Sequence, residues 1–184
     1  AKPVSVASEP AANAIPELRF AWEQGAAAAL VRRGETAWLV FDQPAPVDLD
    51  PSRLSAVAGI ERIPHATATV LRMQLRPERV PQLRSDASAW ILDFAPLVAA
   101  PAQPIPVAIA HDEERRARLT FEAREAAAPL AITDEGTGRT LIVVPVRTPG
   151  AGVAEEKVLP ELRVLPTSQG IAIEPGTDSL RVGQ

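Results

Sequence analysis

Short apolar runs broken by turn residues recur along the whole chain. Leu18, Phe20 and Trp22 alternate with Arg19 and Ala21, a spacing that puts three large side chains on one face of a strand. Ala28 to Arg32 and Ala37 to Asp42 are two further runs, joined through Gly34, and they predict a hairpin. Helix propensity competes over Ala26–Leu30. The shortness of that run and the glycines on either side, Gly25 and Gly34, favour a strand. The same reading gives strands over 67–75, 80–83, 89–94, 107–110, 117–122, 130–133, 140–147, 162–165, 171–174 and 179–182. Pro81 confines its strand to a sheet edge, and Pro145 marks an edge or a bulge. Only Asp50-Pro51-Ser52-Arg53-Leu54 carries a helix-start signal: Asp as N-cap and Pro at the first helical position. That helix is expected to end by Ala58 or Gly59. Over Asp112 to Ala117, where four charges crowd together, a solvated turn is preferred to a helix.

Many short strands with Gly/Pro turns between them predict a mainly β, antiparallel, sandwich-like protein with one short helix. Two segments, Thr36-Ala37-Trp38-Leu39-Val40-Phe41-Asp42 and Ser88-Ala89-Trp90-Ile91-Leu92-Asp93-Phe94, are nearly alike and suggest a repeated β unit. The closely spaced prolines of 101–106 mark an internal boundary. The expected organisation is a flexible linker over 1–16, a first β lobe over 17–100 and a second over 101–184. The linker, rich in small residues and Pro, implies something in front of it.

The chain has 184 residues, enough to bury a sizeable core without staples. It has no cysteine, which removes disulfides, thiolate nucleophiles and cysteine metal sites. Its net charge of −4 and pI of about 5.3 argue against nucleic acid as a partner. No apolar run is long enough to span a bilayer, and no charged n-region with an apolar h-region opens the chain. Only Lys2 and Lys157 are lysines among the 19 basic residues. The arginines are scattered, which fits genome composition better than a dedicated anion site.

Few residues look able to do chemistry. His65 and His111 are too few and too far apart for a metal site of three or four ligands. Asp42, Asp48 and Asp50 would have to converge to hold a hard cation, and their plainer roles are strand end, solvated residue and helix cap. Gly136-Thr137-Gly138 lies between two strands, which makes it a hairpin turn rather than a phosphate loop. No G-x-S-x-G elbow is present. No catalytic residue, metal or cofactor is therefore assigned. Trp38 and Trp90 lie inside apolar runs and belong to the core. Trp22, between Ala21 and Glu23, is the tryptophan expected to be exposed; Arg32 and Arg33, whose plainer role is a solvated hairpin turn, complete the candidate binding surface beside it.

The run 36–49, Thr36-Ala37-Trp38-Leu39-Val40-Phe41-Asp42-Gln43-Pro44-Ala45-Pro46-Val47-Asp48-Leu49, resembles the AMIN-type domain of bacterial envelope proteins. Ser88-Ala89-Trp90-Ile91-Leu92-Asp93-Phe94-Ala95-Pro96 is similar to that family's closing strand. The resemblance covers roughly 18–96. It implies a periplasmic β-sandwich module without catalysis, which localises larger assemblies to the cell wall or to envelope machinery. The implied partner is a cell-wall polymer (peptidoglycan) or an envelope protein. Two other readings stand beside it. One is a hydrolase using paired carboxylates, recognisable by a cleft where two of them converge. The other is a structural domain that oligomerises through its sheet edges.

Overall fold

Helix propensity loses at Ala28–Val31 because every side chain of that run is buried, alternately on opposite faces of a sheet. The computed structural model describes residues 6–7, 18–47, 56–96, 100–111, 117–134, 136–176 and 182. Its strands in the first half are β1 (Val6–Ala7), β2 (Leu18–Ala21), β3 (Ala28–Arg33), β4 (Thr36–Phe41), β5 (Val57–Ile63), β6 (Thr69–Leu75), β7 (Val80–Asp86) and β8 (Ala89–Ala95). Those of the second half are β9 (Gln103–Pro104), β10 (Val107–His111), β11 (Ala117–Phe121), β12 (Leu130–Asp134), β13 (Arg139–Val144), β14 (Ala151–Gly152), β15 (Lys157–Leu159), β16 (Leu162–Leu165), β17 (Thr167–Gln169) and β18 (Ile171–Pro175).

The protein is mainly β, and its sheets are antiparallel except for the two-residue parallel pair β9–β14. A central five-stranded sheet has the order β17-β3-β4-β6-β5. A four-stranded sheet runs β1-β2-β8-β7, and a second five-stranded sheet runs β12-β13-β18-β16-β15. β10 and β11 pair as a hairpin. The edge position expected from Pro81 is observed, since β7 is the last strand of its sheet. The hairpin through Gly34 is observed too: Arg33 pairs with Thr36, and Gly34 turns the chain at a φ of +61° that glycine adopts without strain.

Three cores follow from strand periodicity. Ala28, Leu30, Leu39, Phe41, Leu71 and Met73 of the central sheet meet Phe20, Leu83, Trp90, Leu92 and Phe94 of the four-stranded sheet. The alternate residues Ala29, Val31, Trp38, Val40 and Val70 meet Leu130, Ile132, Leu141, Val143, Leu165 and Ala172 of the other sheet. The opposite face of that sheet carries Ile171, Ile173, Val164 and Leu162 against Ile105, Val153 and the partly buried Phe121 and Leu119. A central strand covered on both faces needs an unbroken apolar run, which is what β3 and β4 have. Burying each of Phe20, Phe41 and Phe94 contributes roughly 1.5–3 kcal/mol.

Among the described residues the expected short helix is not seen. Residues 48–55, with Asp48 and Asp50, lie outside the described residues, and Val57–Ile63 is an edge strand where the helix was to end. The reason is long-range: Ile60 and Ile63 gain apolar contacts by pairing with β6, and Gly59 accommodates a register shift. The expected strand over 179–182 and the charged turn at 112–116 also fall outside the described residues, Val182 excepted. Of the expected linker, Val6–Ala7 is described and pairs with β2. The two look-alike segments are not equivalent in space. Trp38 points from the central sheet into the second core, whereas Trp90 points from the four-stranded sheet into the first.

The halves of the chain are tied together at β17. Thr167–Gln169 leaves the second half to pair with β3 at the edge of the central sheet. Gln169 is fully buried there. Its Nε2 donates to the Val146 and Thr148 carbonyls at 2.7 and 3.1 Å, and its Oε1 accepts from Gly150 N–H at 2.7 Å.

Candidate functional site

One end of the second core is closed by charge. β3 ends in Arg33, on the face that carries Val31, and β18 carries Glu174 toward the same core. The Arg33 guanidinium reaches across the two sheets to form an ion pair with Glu174, its Nη2 3.0 Å from Oε1. Arg139, the first residue of β13, donates to the same oxygen at 2.8 Å. A second pair spans the sheets nearby, with Arg72 Nε 3.7 Å from Asp134 Oδ1, and Arg72 also donates to Glu61 at 2.8 Å. Glu174 and Asp134 are both buried. Buried carboxylates need such partners, because an unpaired charge away from water is costly. Asp134 also builds its own turn: Thr137 Oγ1 donates to Oδ2 at 2.8 Å, and Gly138 N–H donates to its carbonyl at 2.7 Å. The hairpin expected at Gly136-Thr137-Gly138 is the one observed.

Outside these ion pairs the second sheet is incompletely covered. β13 and β18 are in register from Ile142/Ile173 onward, and their pairing does not extend to Arg139–Leu141. A groove of about 650 Å³ opens there, between the starts of β13 and β16, the end of β18 and the turn after β15. Its lining includes the aliphatic residues Ile142, Leu159, Leu162 and Pro175, of which the first three also pack in the third core. Arg139 and Arg163 line it, with side chains 62% and 50% exposed. Val158, 68% exposed, lines it too. Glu174 is the single carboxylate in the lining.

The three residues expected to form a contact surface are placed apart. Trp22 is buried, not exposed: only 5% of it is accessible, and its ring lies 4.9 Å from that of Phe41. The alternation that put Leu18, Phe20 and Trp22 on one face already carried this answer, because that face is the core. Its Nε1 is buried without a hydrogen-bond partner among the described residues. Phe41 pairs with Ala28, at the far end of β3 from Arg32. Four residues of strand, about 13 Å, separate Trp22's neighbourhood from the hairpin turn. Arg32 is exposed and donates to the carbonyl of Gly34 in its own turn at 2.9 Å. Arg33 faces the opposite side of the sheet and belongs to the Glu174 cluster. Trp38 and Trp90 are buried as expected, and Trp90 Nε1 donates to the Ala26 carbonyl at 2.8 Å.

Asp42 has a structural task, accepting the Ala27 N–H at 2.8 Å. His65 Nδ1 accepts the Thr67 N–H at 3.3 Å, and His111 is exposed on β10. Among the described residues no group of three His, Cys, Asp or Glu side chains is placed to hold a metal ion, and no helix is long and apolar enough to cross a membrane. Sequence reasoning missed Arg139, Arg163, Glu174 and Val158. The available signal was Glu174 itself, an acid closing an otherwise apolar strand. In comparisons with known proteins, no family model, no curated protein and no solved structure matched the chain.

Proposed function

We propose that this chain is a non-catalytic binding or scaffolding module of a bacterial envelope protein, built from two sandwich-like β lobes over 17–100 and 101–184 that are joined through β17. The observation that carries the binding reading is the groove on the second sheet. It sets aliphatic and polar lining groups side by side in about equal measure, and its volume is in the range of recognition sites. The hydrolase alternative calls for two converging carboxylates, and the groove offers Glu174 alone, already engaged by two guanidinium groups. The periplasmic setting and the partner class, a cell-wall polymer or an envelope protein, rest on the resemblance of 36–49 and 88–96. With Trp22 in the core, the contact surface is assigned to the groove.

The test is retention of the purified chain on isolated cell wall and on immobilised envelope extract, beside an unrelated acidic protein of similar size. Specific retention on either is the expected result. A chain that washes through both sinks this reading.

A further inference from the structure

We infer that the groove takes an acidic, aliphatic extended segment of a partner protein, its carboxylate held between Arg139 and Arg163; this rests on the binding-module reading above. Three observations converge on that occupant. The lining carries two arginines and one glutamate; with the adjoining Arg33 and with Glu156, which lies 3.4 Å from Arg163, the cluster sets three arginines against two carboxylates, a local excess of positive charge in a chain whose net charge is −4. A carboxylate is the complementary group, and guanidinium forks recognise it with paired N–H donors. Glu174 does not neutralise the patch, because its Oε1 is shared by Arg139 and the more buried Arg33. Arg139 can turn toward a ligand while Arg33 keeps the buried acid paired.

The aliphatic half of the ligand follows from Val158. Among the described residues only Ile109 and Val158 are exposed large hydrophobics, and Val158 stands at the groove. With Ile142 and Leu159 it offers a surface for a branched aliphatic side chain. The lining holds no aromatic ring on which a sugar face would stack, which favours a peptide over a glycan strand. Extended peptide alternates its side chains, so an acid and an aliphatic residue on adjacent positions of the ligand can address the arginines and the aliphatic lining separately.

The experiment is fluorescence anisotropy with a fluorescein-labelled peptide alternating Glu and Val, beside its Gln-Val isostere and soluble peptidoglycan fragments as competitors. The acidic peptide is expected to bind about tenfold or more tightly than the isostere, with affinity falling as salt rises. Arg163→Gln and Arg139→Gln are each expected to weaken it by about tenfold. Arg163 is outside the buried ion pairs, so its variant decides the matter even where Arg139→Gln disturbs folding. Equal binding of the two peptides, unchanged binding by Arg163→Gln, or no saturation at about 1 mM overturns the proposal. So does displacement by peptidoglycan fragments with no preference for the acidic peptide. Retention on envelope extract that Arg163→Gln leaves intact overturns the groove assignment while the module reading stands.

Discussion

β18 is five residues long, and its two ends have opposite surroundings. Before Ile171, Gly170 sits at a φ of +76°, where an added Cβ would lie 2.5 Å from that of Ala29. Close by, a Cβ on Gly152 would fall on the Thr167 carbonyl oxygen. Gln169, next to Gly170, satisfies one donor and two acceptors of the 146–150 segment. At the other end Glu174 is held by guanidinium groups, and beyond it the groove exposes Arg139 and Val158. One end has no space and no spare polar group. The other keeps solvent, charge and an uncovered aliphatic surface. The comparison teaches that the stability of this sheet and its capacity for recognition are separated along one strand, because tight packing and ligand access exclude each other.

The sharpest way to break that contrast is to add one methyl group at the tight end. Gly170→Ala and Gly152→Ala are each expected to cost about 3 kcal/mol or more, through overpacking and, at Gly170, a left-handed backbone. In a thermal melt this is a fall of roughly 6–12 °C. A loss under about 1 kcal/mol would show that the junction can relax. Gln169→Ala comes next, at about 2–3 kcal/mol, because it strands the Gly150 N–H and leaves the Val146 and Thr148 carbonyls only their bonds from the Ala28 and Ala151 N–H groups. Urea denaturation at constant m-value measures it.

At the open end the effects shrink. Glu174→Gln is expected to cost about 1 kcal/mol, since both arginines it leaves behind can reach solvent. The same urea titration reads it, and a cost matching that of Gln169→Ala would erase the distinction between the two ends. Val158→Ser is the smallest change, within about 0.5 kcal/mol. A larger loss would mean that Val158 is a packing residue, and its availability to a ligand would fall with it.

Much of the strand pattern was legible. The Leu18/Phe20/Trp22 alternation, the hairpin at Gly34, the edge strand with Pro81 and the turn at Asp134 all follow from residues acting over a few positions. Less was legible wherever the partner is remote. Trp38 and Trp90 sit in nearly identical segments, yet one belongs to a sheet covered on both faces and the other to a sheet that faces a core on one side. The Asp50-Pro51 signal is a local helix start, whereas Val57–Ile63 answers to β6, which comes later in the chain. β17 was missed because Thr167-Ser168-Gln169 has no apolar pattern; its reason for being a strand is the edge of β3.

The sequence by itself determined that this is a chain of short strands with Trp38 and Trp90 in the core, a net negative charge and no cysteine chemistry, because periodicity, turn residues and composition act locally or in bulk. Only the tertiary structure decided that Arg33 spans two sheets instead of flanking Trp22, that Glu174 gathers two arginines, and that a groove remains beside them. Those facts depend on which strands become neighbours. That choice is made by the burial of whole sheet faces, summed over residues far apart in the chain, and no short segment carries it.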